Sequence, residues 1–394
     1  MENVFVLISP HTDVIKVEKY LKEKELSHLK VWSEPILPPF INPLETIIIL
    51  LLSGGTEVLV KKIVQKAFST IYIYCLPINN ALSSGAELNG YYHANSEIKI
   101  ATYTEEAFKL LFNIEKYKTK MNESKLLMIG KPHEWVLTSE FLSPPPPFKT
   151  KIYPTSVNEL LHSYDKVDPK IANEEAEYWY NKDDLAKLPP AEFYNSAVSY
   201  LAINRLLKKF EANMLAVRCK DMQQQGSSFC LTMDRFNEEG IISACEGDLE
   251  AAFSLKILNL LTEKYCWMTN ISHIDFIDNL LYLTHCTVPM DMFNINSTFL
   301  FNNAPEFDFI EEFMDVRQPR DITVFRIGKD SRFDVLEGTV NSEIVGKNSF
   351  CRSSMQIQTN ESLHDWFDNI CGNHQVVVYG KYADQIRHFF RLLY

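Results

Sequence analysis

The segment IISACEGDLEAA, residues 241–252, contains a short apolar strand, an acid, a glycine that lets the chain turn, and the start of a helix. In α/β domains the carboxyl ends of parallel strands open onto the ligand crevice. The pattern therefore places Glu246 where a carboxylate can meet a ligand. Asp248 is typical of a helix N-cap, which accepts amide hydrogen bonds at the positive end of the helix dipole. The alternative is that both acids are only structural parts of a turn.

The composition is that of a globular protein with more than one domain. The chain has 394 residues, of which 46% are hydrophobic and 23% charged, enough for a sizeable core and for two or three domains. The formal net charge is −12, and no long basic run occurs. Because contacts to phosphates need clustered Lys and Arg, this charge argues against a nucleic-acid partner.

The cysteines and the apolar runs indicate where the protein resides. None of the eight cysteines belongs to a CxxC pair, a usage that fits a reducing cytosol better than a disulfide scaffold. The longest apolar run, residues 47–52, is far shorter than the roughly 20 residues that cross a bilayer. The amino terminus lacks the basic region of a signal peptide. We therefore expect a cytoplasmic protein with no membrane partner.

The alternation of apolar and amphipathic stretches predicts the fold. Strands buried on both faces of a parallel sheet read as short continuous apolar runs, and such runs alternate with helical patterns over residues 1–143. A stiff proline run, residues 144–147, follows and is the predicted boundary between the first and second domains. Residues 150–264 repeat the α/β pattern, and residues 265–394 are β-rich. The sequence thus predicts two Rossmann-like α/β domains followed by a β-rich carboxyl-terminal domain.

A glycine-containing turn in the first domain is a candidate ligand contact. The turn Ser53-Gly54-Gly55-Thr56-Glu57 follows a predicted strand and opens a predicted helix. Its amides can hold an anion or a sugar hydroxyl. It has neither the GxGxxG pattern nor the P-loop pattern, so an ordinary turn is the alternative.

Two histidines of the β-rich part stand at the ends of apolar strands. His285 ends one predicted strand, and His374 precedes another. Side chains at such positions converge on clefts. Together with Glu246 they make one carboxylate and two imidazoles, a ligand set that suits a divalent ion such as Mn²⁺. The alternatives are imidazoles that each bond one carbonyl, or a zinc site that uses Cys371 and His374.

Four segments taken together resemble a known enzyme superfamily. They are CEGDLEAA at 245–252, WMTN at 267–270, THCTVP at 284–289 and GNHQVVVYG at 372–380. In this order and spacing they resemble the L-fucose isomerase and L-arabinose isomerase superfamily, and they are most similar to its shorter fucose isomerase-like members. The turn at 53–57 agrees with the same resemblance.

The resemblance implies a metal-dependent aldose–ketose isomerisation of an open-chain monosaccharide. In that chemistry Mn²⁺, or another divalent cation, polarises the carbonyl, and carboxylates move a proton between C1 and C2 through an ene-diolate. By position, Glu246 corresponds to a metal ligand and acid/base, His285 and His374 to metal ligands, and Asn373 to a polar substrate contact. Family members are commonly homo-oligomers in which the first domain of a neighbouring subunit closes the site.

The chain departs from the family at the second carboxylate. That group falls in the segment Trp267–Ile271, where this sequence has Thr269 and Asn270. The Asn270 amide can contact substrate or coordinate a hard cation, but it cannot exchange a proton near neutral pH. The sequence therefore leaves open a sugar-binding or regulatory protein without catalysis. It also leaves open a lyase or epimerase for an acidic sugar, with Arg218 and Lys220 as the nearest cations.

Overall fold

The computed structural model describes most of the chain. The described residues are 4–24, 26–33, 46–95, 97–102, 105–140, 142–182, 190–223, 229–285, 298–303, 308–313, 320–330, 332–343 and 353–394. The chain divides into two compact units, Met1–Lys116 with Asp384–Tyr394, and Tyr117–Ala383. Among the described residues no helix has the length and apolar character that crossing a membrane requires.

A five-stranded parallel sheet forms the centre of the first unit. Its strands are β1 (Val4–Ile8), β2 (Val31–Ser33), β3 (Ile47–Leu51), β4 (Ile71–Cys75) and β5 (Ile98–Thr102). They lie in the order β2-β1-β3-β4-β5. The helices are α1 (Val14–Glu23), α2 (Glu57–Val64), α3 (Ala81–Tyr92) and α4 (Glu105–Glu123), the last of which runs into the second unit. The strands are almost entirely apolar because both faces of the sheet are buried.

The second unit begins with a four-stranded parallel sheet. Its strands are β6 (Lys125–Ile129), β7 (Lys151–Thr155), β8 (Met214–Val217) and β9 (Ile242–Ala244), in the order β7-β6-β8-β9. The connecting helices are α5 (Val157–Tyr164), α6 (Pro169–Lys182), α7 (Pro190–Phe210), α8 (Cys219–Gln223), α9 (Phe229–Glu238) and α10 (Leu249–Thr262). A 3₁₀ turn, Leu137–Ser139, follows β6.

The strand β6 lies in a different sheet from the one that the sequence pattern suggests. The pattern groups it with residues 1–143, whereas it pairs with β7 and β8 of the second sheet. The proline run 144–147 accordingly lies inside the second unit. An apolar run shows that a strand is buried on both faces, but it does not show which strands are its neighbours.

The rest of the second unit is a closed antiparallel barrel. Its chain contains β10 (Trp267–Asp275), β11 (Leu280–His285), the separate antiparallel pair β12 (Thr298–Asn303) and β13 (Asp308–Phe313), then β14 (Arg320–Ile327), β15 (Phe333–Glu343), β16 (Ser353–Gln358), α11 (Leu363–Asp368) and β17 (His374–Tyr379). The last helix, α12 (Ala383–Leu393), belongs to the first unit from Asp384 onward. The barrel order is β10-β11-β16-β15-β14-β17. Apolar residues of these strands, among them Leu283, Val324 and Ile357, fill one core with α11.

The architecture is therefore mixed α/β, with two parallel sheets and a β-rich barrel toward the carboxyl end, and the expected class is confirmed at this level. Helix α10 packs against β14 and β17 of the barrel. This contact brings the carboxyl end of the second sheet beside one end of the barrel. The six cysteines that the structure describes are buried free thiols, and Cys286 and Cys351 lie outside the described residues.

Candidate metal centre

The turn between β9 and α10 fixes the position of Glu246. Both Glu246 and Gly247 have positive φ angles, +58° and +71°. A side chain at Gly247 would approach Met128 within 2.8 Å and Pro132 within 2.9 Å, so glycine is required there. The Glu246 carbonyl accepts a 3.0 Å hydrogen bond from the amide of His133. These contacts hold Glu246 in the left-handed backbone conformation at the end of a parallel strand. Non-glycine residues in this conformation cluster at functional sites.

The structure brings together the three metal ligands that the sequence suggests. One ligand atom from each of Glu246, His285 and His374 lies within 4.8 Å of the others. The Glu246 Oε2 and His374 Nε2 atoms are 3.5 Å apart. His285 comes from the end of β11, and His374 comes from the start of β17, two strands that are both paired with β10. We refer to these three residues as the cluster.

The cluster has buried ligand atoms that lack a partner. His285 and His374 are each only 3% exposed. The Nε2 atom of both rings makes no hydrogen bond to any residue that the structure describes. Buried polar atoms nearly always have a partner, because leaving one unpaired costs about 1–3 kcal/mol. Two unpaired imidazole nitrogens facing a carboxylate are the arrangement that a divalent cation would complete.

Asp248 orients one of the two imidazoles. Its Oδ2 atom lies 2.7 Å from His374 Nδ1, so the Nδ1 proton is donated to the carboxylate and Nε2 keeps its lone pair for the cluster. The Oδ1 atom accepts the amide of Ala251 at 2.8 Å. The N-cap role expected of Asp248 is thus confirmed, and the structure adds a contact to the His374 imidazole.

A buried arginine balances the charge of Asp248. Arg326, on β14, is completely buried and donates from Nη2 to both oxygens of Asp248, at 3.1 and 3.0 Å. Its Nη1 atom donates to the backbone oxygen of His374 at 2.6 Å. Burial alone would raise the pKa of Asp248, but the Arg326 charge and the His374 hydrogen bond outweigh it and hold that pKa well below its usual range.

The protonation states of the cluster suit metal ligation. Burial raises the pKa of Glu246, but the His374 charge, the hydrogen bond from Trp135 and the charges of His285 and Lys220 together lower it. Burial, and after it the His374 charge, lower the pKa of His285 to about 4. At neutral pH Glu246 is therefore a carboxylate and His285 a neutral imidazole, the two forms that bind cations.

Trp135 and Lys220 lie at the edge of the cluster. The indole Nε1 of Trp135 donates to Glu246 Oε2, and 53% of the Trp135 side chain remains exposed. The His133 ring stacks on the indole with a centroid distance of 4.4 Å and an angle of 4°. The Lys220 ammonium is 4.4 Å from the indole centroid. An aromatic ring with a cation against it thus borders the carboxylate on its exposed side.

The two asparagines expected to contact substrate bond to each other. Asn373 Nδ2 donates to Asn270 Oδ1 at 2.8 Å, and Asn373 Oδ1 accepts the amide of Ile271 at 3.2 Å. Asn270 lies opposite His374 in the β10–β17 pairing, so the pair borders the cluster without belonging to it. Thr269 is fully buried and bonds to the Gln375 carbonyl. The contact of either asparagine with a substrate stays a prediction.

The Ser53–Glu57 turn belongs to the first compact unit. There Ser53, Gly54 and Gly55 line a polar groove of about 520 Å³, together with Ser9 and Asn79 among others. The amide of Gly54 donates to the Asn79 carbonyl at 2.8 Å. The expected role of the Ser53–Glu57 turn as a ligand contact stays a prediction.

Sequence reasoning missed two residues of the site. The sequence does contain a pattern that points to Arg326, because an arginine within a mostly apolar strand implies a buried cation that needs a carboxylate partner. No sequence pattern points to Trp135, since it lies in a loop 111 positions from Glu246, the residue that it contacts.

The chain shows limited similarity to characterised proteins. No family model matches it. It is 30% identical over 109 residues to a protein named sulfoquinovose isomerase from Alkalicoccus urumqiensis. The aligned region makes up 27% of this chain and 23% of that relative, so the likeness covers about a quarter of each protein.

Proposed function

We propose that the protein is a divalent-metal-dependent sugar isomerase that interconverts an open-chain aldose and the corresponding ketose. The observation that carries the proposal is the buried cluster, in which two unpaired imidazole nitrogens face the Glu246 carboxylate. Two independent likenesses support it: the partial identity to a sulfoquinovose isomerase, and the resemblance of the motifs to L-fucose and L-arabinose isomerases. The finer assignment to that superfamily is part of this proposal.

The donor set fits a borderline or hard divalent ion, and we propose Mn²⁺. Glu246, His285 and His374 would hold it, with His374 fixed in the correct tautomer by Asp248. When bound, such an ion polarises a carbonyl and stabilises the negative charge that develops during proton transfer. The alternative zinc site with Cys371 is disfavoured, because the Cys371 amide and side chain interact with Asp334. The cluster itself contains no thiolate.

Glu246 is the proton carrier in this proposal. Its carboxylate removes the proton from C2 of the aldose, the C2–H electron pair forms the double bond of an ene-diolate, and the same carboxylate returns the proton to C1. One carboxylate suffices for this transfer if it stays on one face of the substrate. The hydroxyl proton must also move from O2 to O1, and the Asn270 amide has no acid–base equilibrium near neutral pH with which to carry it. In this proposal solvent water carries that proton. Trp135 restrains the carboxylate through its N–H.

A second candidate function is a sugar-binding or regulatory protein that performs no reaction. The observation in its favour is that Asn270 and Asn373 border the cluster as a bonded amide pair. The motif resemblance places the second carboxylate in the segment Trp267–Ile271, where this chain has Asn270. Amides bind hydroxyl groups well and carry out no acid–base chemistry.

The two functions are separated by measuring metal and turnover on the same sample. Purified full-length protein is assayed for bound metal, then incubated in D₂O with Mn²⁺ and a panel of pentoses, 6-deoxyhexoses and sulfoquinovose. Isomerisation predicts ketose formation, with deuterium at C1 to the extent that the protonated Glu246 exchanges with solvent before it returns the proton, and Glu246→Gln abolishes both. The Glu246→Gln variant keeps the shape of the side chain, so loss of activity reports on the carboxylate.

Each outcome decides between the candidates. Stoichiometric metal with turnover supports the isomerase. Sugar binding with neither ketose nor deuterium exchange supports the binding protein. Turnover that persists at the wild-type rate in Glu246→Gln contradicts the proposed site.

A further inference from the structure

The hydroxyl group of Ser139 joins two buried carboxyl groups. Ser139 ends the 3₁₀ turn after β6 and is fully buried. Its Oγ atom lies 3.2 Å from Asp248 Oδ1 and is also hydrogen-bonded to Glu250 Oε2. The amide of Leu249 donates to the same oxygen at 2.8 Å. One hydroxyl group therefore meets a backbone amide and two acids.

Glu250 is a buried acid without a cation of its own. It is 4% exposed, and no Lys, Arg or His in the described part of the chain forms an ion pair with it. The charged groups that act on it are Asp248 and Arg326, and Arg326 already donates to both oxygens of Asp248. Burial, and after it the charge of Asp248, raise the pKa of Glu250 to about 6.

The protonation state of Glu250 decides which acid receives the Ser139 proton. A hydroxyl group has one proton and two lone pairs, and the Leu249 amide occupies one lone pair. When Glu250 is protonated, it donates to the other lone pair, and Ser139 donates to Asp248. When Glu250 is ionised, it accepts the Ser139 proton, and Asp248 Oδ1 loses that donor.

Asp248 transmits this difference to His374. Its Oδ2 atom accepts the His374 Nδ1 proton at 2.7 Å. A carboxylate that has fewer donors, and a second negative charge beside it, attracts that proton more strongly and makes Nε2 a better ligand. His374 Nε2 belongs to the cluster and has no partner among the described residues. Ionised Glu250 therefore favours a bound cation, and a bound cation favours ionised Glu250.

We propose that Ser139 and Glu250 are positioning residues that couple metal binding to proton release. When a divalent cation binds at the cluster, the O–H bond of Glu250 breaks, its proton goes to solvent, and the Ser139 hydroxyl turns from Asp248 to Glu250. The inference rests on the proposed metal-binding role of the cluster. It deepens that role by naming the group that adjusts the strength of the His374 ligand.

Counting protons during Mn²⁺ binding to the full chain tests the proposal without requiring turnover. Calorimetry in two buffers of different ionisation enthalpy gives the number of protons released per Mn²⁺. At pH 5.5 the wild type should release about half a proton more than Glu250→Gln, and at pH 8 the two should release equal numbers. Protons released by the cluster itself are common to both proteins and cancel in the comparison.

The Mn²⁺ affinity should follow the same dependence. Glu250→Gln mimics the protonated acid, so its affinity should be about 10-fold below that of the wild type at pH 8 and within about 2-fold of it at pH 5. Ser139→Ala, which lacks the hydroxyl, should reduce the effect of Glu250→Gln by about half or more. Glu140→Gln removes the same charge from an exposed neighbour of Ser139 and should bind Mn²⁺ as the wild type does.

Infrared spectroscopy provides a signal that a purely structural role would not change. A protonated carboxyl group has a C=O stretching band distinct from those of a carboxylate. At pH 5.5 the metal-free wild type should show such a band that Glu250→Gln lacks. Adding Mn²⁺ to the wild type should diminish the band, because the Glu250 proton is released.

The outcomes separate this inference from the proposed isomerase. Equal proton release by wild type and Glu250→Gln at pH 5.5, or an affinity ratio that is the same at pH 5 and pH 8, overturns the inference even if sugars are isomerised. Linked proton release in a protein that converts no sugar supports the inference and contradicts the isomerase. The infrared change on adding Mn²⁺ is measured on wild-type protein, so the inference is decided even if a variant fails to fold.

Discussion

His374 Nδ1 and Asp248 Oδ2 are 2.7 Å apart, and this contact ties the barrel to the second parallel sheet. Asp248 caps α10 through the amide of Ala251, while His374 opens β17 of the barrel. Arg326, from β14, closes the arrangement by bonding both the Asp248 carboxylate and the His374 backbone. One buried carboxylate therefore stabilises a helix start, orients a candidate metal ligand and neutralises a buried cation.

Asp248→Asn should weaken both metal binding and the fold. An amide can still accept the Nδ1 proton, but it carries no charge to strengthen the imidazole as a ligand or to balance Arg326. We expect a 10- to 100-fold loss of Mn²⁺ affinity and a loss of about 3 kcal/mol in the free energy of unfolding of the metal-free protein. Mn²⁺ titration and urea denaturation measure the two effects.

The control for this variant is Asp321→Asn. Asp321 is about half exposed and pairs with Lys381, so its charge contributes little. Equal stability and metal affinity in Asp248→Asn and Asp321→Asn would show that the buried contact has no such role.

The part of the site that the sequence could predict is local. The strand, the turn glycine and the N-cap lie within eight residues, and each follows from short-range steric and hydrogen-bonding preferences. Glu246 and Asp248 therefore have the positions that the sequence indicates. The histidines are brought together by strand pairing, which residue patterns alone do not determine. The motif resemblance suggested only that the two histidines share a site.

The other features of the site and of the fold depend on contacts between distant parts of the chain. Arg326 meets Asp248 across 78 positions, and His374 meets Asp248 across 126. The sheet membership of β6 is of the same kind, because its pairing with β7 and β8 is a choice among several equally apolar strands. Burial predicts that such groups need partners, but packing selects the partner.

His285→Ala should lower the affinity for Mn²⁺ without a comparable effect on folding. The His285 side chain is buried with Nε2 unpaired among the described residues, so removing it costs the metal a ligand and costs the apo protein no hydrogen bond at that atom. A loss of at least about 10-fold in affinity is expected. His273→Ala is the control, because His273 lies exposed on the neighbouring strand β10, beside Tyr282. If both variants bind Mn²⁺ equally well, His285 is not a ligand.

Asn270→Asp should increase isomerase activity. The new carboxylate can still accept the 2.8 Å hydrogen bond from Asn373, so the local structure is kept while an acid–base group is added beside His374. A positioned general base typically contributes about 10²–10⁴ in rate, and we expect a gain toward the lower end. Initial rates of ketose formation measure it, with Asn373→Asp as the isosteric control. A variant slower than wild type would indicate that the natural amide pair is the functional form.

Asp334→Asn should stabilise the protein at neutral and alkaline pH and have little effect near pH 4. Asp334 is 4% exposed, its Oδ1 has no partner among the described residues, and burial raises its pKa from 3.8 to about 6. Between these two values the folded state binds more protons than the unfolded state, so stability falls as pH rises through this window. Above pH 6 the ionised Asp334 lowers the free energy of unfolding by its full amount, about 2–3 kcal/mol.

The Asp334→Asn variant removes this loss, because asparagine mimics the protonated acid and can still accept the amide of Cys371. The difference in melting temperature between variant and wild type, both metal-free, should therefore grow from pH 4 to pH 7. A difference that shrinks with rising pH would mean that Asp334 is stabilised as the anion.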